Sequence, residues 1–278
     1  MRLVLAAALL TLVGCIPDQA PLEPDPADAP LLTRPDAVLD SLLARWERAS
    51  SEVTGLTVTT EKVVVQLGRR PDGTLGIVNA EVRAGVDATQ TDPPPIQFLL
   101  PDHRQVVTLL RARSDLAIDR SASPARYRVI GRPDDVAEAN LDSVGSPLAP
   151  PVAADAVIEA GTYHLREIRT RSPLPGSTVD SALVDLRIAY SNYAVVDGVP
   201  LPRAVTVTAS GLRETFDAGE LMFLRAQYQQ RRSQMQGLTG EARVAEQAAL
   251  EDLRALIDEG VSTQTMRVDS VAVAKETG

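Results

Sequence analysis

ALVDLRIAYSNY (182–193) and LPRAVTVTA (201–209) are the two runs on which the fold turns. In the first, Val184, Leu186, Ile188 and Tyr190 alternate with Asp185, Arg187 and Ala189. A period of two puts one set on a buried face and the other toward solvent, the signature of a half-buried strand. The second run repeats the alternation with Val205 and Val207. Asp197-Gly198 lies between them, a dipeptide suited to the positive φ values of a tight turn. The two runs are therefore predicted to pair antiparallel. Upstream, GLTVTTEKVVVQL (55–67), the turn Pro71-Asp72-Gly73 and TLGIVNAEV (74–82) give a second hairpin signal. Further strands are expected at 105–110, 126–130, 163–170 and 264–274, which together make a long antiparallel meander.

Two segments break the β pattern. DAVLDSLLARWERASS (36–51) places Val38, Leu39, Leu42, Leu43 and Trp46 at spacings of three and four, one face of an amphipathic helix, with Pro35-Asp36 as its start. Residues 216–260 carry Leu221, Leu224, Tyr228 and Met235, a break at Gly237 and Gly240, then Val244, Ala248, Leu253 and Ile257. This spacing predicts a helical hairpin, read either as a docking arm or lid or as a cover on one side of the sheet. The expected fold class is α+β: an incomplete antiparallel β-barrel, or curved meander sheet, with an N-terminal helix packed on it and an inserted helical hairpin.

The N-terminus runs Met1, Arg2, a short stretch of Leu, Val and Ala, then Leu12-Val13-Gly14-Cys15. One charge, an apolar run too short to span a bilayer and a small residue before the cut describe a signal peptide over 1–14. Leu12 to Cys15 resembles the lipobox of bacterial lipoproteins, which implies cleavage before Cys15 and its lipidation with palmitate-class acyl chains. The alternative is an ordinary secreted protein. Cys15 is the only cysteine, so no disulfide can form within the chain, and acylation removes a lone thiol from an oxidising compartment. Residues 15–35, rich in proline and acids, read as an extended tether. About 20 residues of such chain reach at most some 60 to 70 Å. Ile16 after the cysteine is similar to outer-membrane sorting signals, so the protein is expected at the cell envelope, facing the periplasm where two membranes exist. Residues 36–278 are read as a single β-rich domain with the hairpin inserted.

The net charge of −9 and the lack of an Arg/Lys cluster with interleaved aromatics argue against a nucleic-acid partner. Aromatics make up 3% of the chain, so its core and pockets must be mostly aliphatic.

The hairpin Tyr190-Ser-Asn-Tyr-Ala-Val-Val-Asp-Gly-Val-Pro-Leu-Pro-Arg203, with the helix-then-strand opening from Leu42 to Val65, resembles the outer-membrane lipoprotein-sorting family of carriers and receptors. The resemblance implies an incomplete barrel around a helix, with an apolar cavity for acyl chains. This chain departs from that pattern in its own lipidation and in the insertion at 216–260. No ligand-contacting residue of the family transfers to a numbered position.

Catalytic patterns are sparse. His103 and His164 have no partner at metal-ligand spacing, and there is no Gly-x-Ser-x-Gly elbow, phosphate loop or EF-hand. Asp134-Asp135 and Glu251-Asp252 are read as solvated acids. The expectation is a non-enzymatic protein without metal or cofactor. Two ligand hypotheses follow. Leu56, Val58, Val184, Leu186, Ile188, Val205 and Val207 line a concave face for an apolar ligand, or that face is filled by the helix and the hairpin. Ile96, Phe98, Leu99 and Leu100, fenced by prolines, form an apolar loop at the cavity mouth, or a short strand in the core. The leading function is the binding or shielding of an acyl-chain ligand in lipoprotein or lipid traffic. The alternative is an envelope scaffold that docks a protein partner through the hairpin.

Overall fold

The computed structural model describes residues 30–71, 73–83, 95–111, 114–131, 151–173 and 183–275. Cys15, the signal segment, most of the tether, Asp72 and Asp134-Asp135 lie outside the described residues. The architecture is mixed α+β, built on an open antiparallel sheet of ten strands in the order β3-β2-β1-β12-β11-β8-β7-β6-β5-β4. The strands are β1 (Val53–Thr60), β2 (Val63–Arg69), β3 (Leu75–Val82), β4 (Ser114–Asp119), β5 (Arg126–Gly131), β6 (Ala153–Glu159), β7 (Leu165–Pro173), β8 (Leu183–Ser191), β11 (Ala204–Ser210) and β12 (Ser262–Lys275). A separate small hairpin, β9 (Ala194–Val196) with β10 (Val199–Leu201), turns at Asp197 and Gly198, whose φ values are 49° and 83°.

β8 and β11 pair as their alternation predicts, Val205 opposite Tyr190 and Val207 opposite Ile188. On the other flank of β11, Met266 of β12 faces Val205. Farther along β12 an irregularity at Thr59/Thr60 shifts the register, so that Val271 and Val273 face Val58 and Leu56. This is why β12 carries its apolar residues first at even and then at odd positions: one extra residue flips the pleat and keeps one face apolar.

Helix α1 (Pro35–Ser50) starts with Pro35 in its first turn, where the missing N–H costs nothing. Its Val38, Leu39 and Leu42 are buried in one core with Leu56, Val58, Val65, Tyr127, Ile158, Leu165 and Val205. The segment 105–110, expected as a strand, is instead helix α2 (His103–Leu110). The apolar pair Val106-Val107 recurs three residues later as Leu109-Leu110, which is helical spacing. Asp102 caps the helix by accepting the Gln105 N–H at 2.9 Å. The charged face of the sheet is laced by ion pairs. Buried Glu167 bridges Arg169 and Arg187, and Asp155 accepts Arg128 Nε at 2.6 Å.

Helices α3 (Ala218–Met235) and α4 (Gly240–Glu259) form the expected hairpin, inserted between the adjacent strands β11 and β12. Its base is pinned by Gly211 and Gly260, both at positive φ, with Leu212 N–H donating to Gly260 O at 3.0 Å. A side chain at either glycine would collide with backbone, 2.3 Å from Leu183 O or 2.2 Å from Arg213 N.

Candidate functional site

The positions expected to line a concave ligand face are core residues. Leu56, Val58, Val184, Ile188, Val205 and Val207 are all 8% exposed or less, and Leu186 is half-buried. Five of them share the core with Val38, Leu39 and Leu42. A ligand on this face would have to displace α1.

The open space lies at the edge of that core. A cleft of about 500 Å³ is bounded by the end of α1, the β2–β3 connection and the segment 96–105. Its apolar wall is Trp46, Leu67, Leu75, Ile77, Ile96 and Leu100, and its rim carries Arg70, Arg104 and Glu47. Arg69 builds the floor. Its guanidinium donates to Val53 O at 2.8 Å, Ser51 O at 3.2 Å and Gly73 O at 3.2 Å, and also to Ser50 O. These bonds occupy carbonyls left unpaired where α1 ends and clamp the β2–β3 turn to the helix. Across the mouth, Arg104 holds Glu47 at 2.9 Å.

The stretch expected as an apolar loop or short strand is a single 3-10 turn, Ile96–Phe98, leading into α2. Its residues divide the work. Leu99 is buried in the core, Phe98 packs against it, and Ile96 and Leu100 also face the cleft.

His103 partitions this cleft from a second hollow of about 10 Å³, lined also by Leu42, Arg45, Trp46, Tyr163, His164 and Tyr193. The two histidines of the chain, sixty-one residues apart, thus border one space. His103 stacks on Trp46 with ring centres 4.5 Å apart, and His164 stacks on Tyr193 at 4.3 Å. The Arg166 guanidinium lies 5.2 Å from the Tyr193 ring centre, and the Tyr193 hydroxyl donates to Leu165 O at 2.6 Å. Burial pushes the His103 imidazole down to about 3, and its Nδ1 has no hydrogen-bond partner. Burial also lowers His164, opposed by Glu159, whose carboxylate is 4.0 Å from His164 Nδ1. Both rings are therefore neutral near pH 7. The hollow has room for one water at most. The cluster is a packed aromatic seam that stiffens the cleft wall. Among the described residues, no three His, Cys, Asp or Glu side chains form a metal-binding group, and no helix is long and apolar enough to cross a membrane.

Sequence reasoning missed Trp46, Leu67, Leu75, Ile77 and the arginine rim as cleft residues. The one available signal was the scarcity of aromatics: the only tryptophan and four of the five tyrosines lie in or beside this seam. No family model matches the chain, and neither curated proteins nor solved structures give a match to it.

Proposed function

We propose that this chain is a lipid-anchored protein of the cell envelope, held through Cys15, whose sheet is an incomplete barrel and whose cleft beside α1 takes an amphiphilic acyl-chain ligand. The observation that carries the reading is the cleft's two-sided chemistry. An aliphatic wall of Leu67, Leu75, Ile77, Ile96 and Leu100 stands under a rim holding Arg70 and the Arg104–Glu47 ion pair. Burial of an acyl chain is favourable by about 25 cal/mol per Å² of apolar area removed from water, and guanidinium groups suit an anionic head. At about 500 Å³ the space is within the range of small-ligand sites. The lipobox-like N-terminus and the likeness of the 190–203 hairpin to the lipoprotein-sorting family support the same reading.

Trp46, the only tryptophan, lines the cleft and so reports on it directly. Titrating the Cys15→Ser protein with a spin-labelled fatty acid should quench Trp46 fluorescence saturably. Ile96→Asp should weaken that quenching about tenfold or more, since it sets a charge in the apolar wall. Unquenched fluorescence at a saturating fatty acid concentration overturns the proposal.

A second reading, a scaffold that docks a protein through the hairpin, is favoured by a different observation. Met222, Phe223 and Val244 on α3 and α4 are 71%, 69% and 69% exposed, and no side chain of α3 is fully buried.

A further inference from the structure

We infer that the ligand of the cleft carries a carboxylate head and that Glu47 keeps its seat, the incoming head exchanging with the Glu47 side chain on Arg104; this rests on the acyl-chain reading above. A carboxylate already stands where such a head belongs. Glu47 Oε1 accepts Arg104 Nε at 3.2 Å and Nη2 at 2.9 Å across the mouth of the cleft. Glu47 follows Trp46 on α1, and Arg104 lies just beyond Leu100, so the pair joins two of the three elements that bound the apolar wall.

The surroundings of the pair favour an anion over a cation. Arg69 and Arg104 converge on Gly73, an Nη1 of each lying 3.9 Å from where a Gly73 Cβ would stand. Arg69 is held there by backbone carbonyls, which leave its charge uncancelled. Among the described lining residues the acids are Glu47 and Asp102, and Asp102 is turned to its cap on the Gln105 N–H. Arg70 lies back over Gly76, where a Cβ would come within 1.9 Å of its Nε. Gly76 is one residue out of phase with Ile77 of the wall, so Arg70 closes the rim from the other side of β3. Arg104 is the cation that meets both the tail space and an exchangeable anion.

The pair opens at little cost. Its side chains are 44% and 46% exposed, and an ion pair so placed is held weakly. Glu47 also stands in the last turn of α1, where the helix dipole opposes a negative side chain. A carboxylate on an acyl chain accepts the same two N–H groups, and its tail adds a burial of apolar area that Glu47 lacks. Glu47 is thus a positioning residue, which keeps the Arg104 guanidinium at the mouth until a ligand arrives.

The test titrates the Cys15→Ser protein with a spin-labelled fatty acid, its methyl ester and the matching fatty amine, each read by Trp46 fluorescence. The acid should bind about tenfold more tightly than the ester or the amine, a gap that Arg104→Gln should close. Glu47→Gln should tighten the acid about threefold and leave the ester unchanged. In the Arg104→Gln background the same Glu47→Gln change should add nothing, which separates exchange on Arg104 from simple relief of repulsion. An acid no tighter than its ester or the amine, or a Glu47→Gln gain that survives without Arg104, overturns the inference and keeps an acyl chain in the cleft. Quenching by none of the three defeats both.

Discussion

His103 opens α2 with its ring stacked on Trp46 and its Nδ1 unpartnered, so its protonation is tied to folding. The folded ring takes a proton only near pH 3, the unfolded one near 6.5. Acid therefore favours the unfolded chain across that window. This group's contribution is intact above 6.5 and falls by about 1.4 kcal/mol per pH unit below it. His103→Phe keeps a ring against Trp46 and removes the proton. Urea denaturation at pH 7 and pH 5 should find the variant losing about 1 to 2 kcal/mol less than wild type between the two. An equal loss would assign the acid sensitivity elsewhere. Glu167 is a buried carboxylate paired with Arg169 and Arg187, whose own side chains are about half exposed. Glu167→Ala leaves two guanidinium groups to water rather than to a dry core, so the expected cost is about 1 to 2 kcal/mol, readable as a lowered melting temperature.

The elements show where local sequence suffices. α1, the β8–β11 pair and the 218–259 hairpin were legible because each carries its own period and its own breaks. β6 was not, since Asp155 and Glu159 are buried on the charged face and erase the alternation that marks a strand. α2 misled for a related reason: Val106-Val107 and Leu109-Leu110 are β-rich by composition and helical only by spacing. The cleft was illegible apart from Ile96 and Leu100, because α1, the β2–β3 turn and the 96–105 segment meet only in three dimensions. The hairpin's base gives a test at this scale. Gly260→Ala adds a Cβ 2.2 Å from the Arg213 nitrogen at a φ of 68°, and should cost about 2 kcal/mol or more. Gly198→Ala meets nothing within 4 Å at a φ of 83°, and should cost about 1 kcal/mol, the strain alone. Thermal melts of the two variants, compared side by side, measure the difference.

For the molecule as a whole, β12 is the joint. It pairs with β1 on one side and β11 on the other, and without it the order divides into β3-β2-β1 and β11-β8-β7-β6-β5-β4. A chain ending at Gly260 should lose its cooperative melt and bind a hydrophobic dye, since both new edges and the face under α1 are opened. A sharp transition retained in that truncation would show that the two parts fold independently. The same strand also sets a clock. β1 is made early and its neighbour β12 comes after every other strand of the sheet, so the first three strands wait, with one edge unpaired, until nearly all the described body exists. Pairings so distant in sequence form slowly. Under the proposed envelope location the chain would be threaded across a membrane before it folds, and late completion would then be an advantage: the sheet could not lock while its final strand was still on the far side.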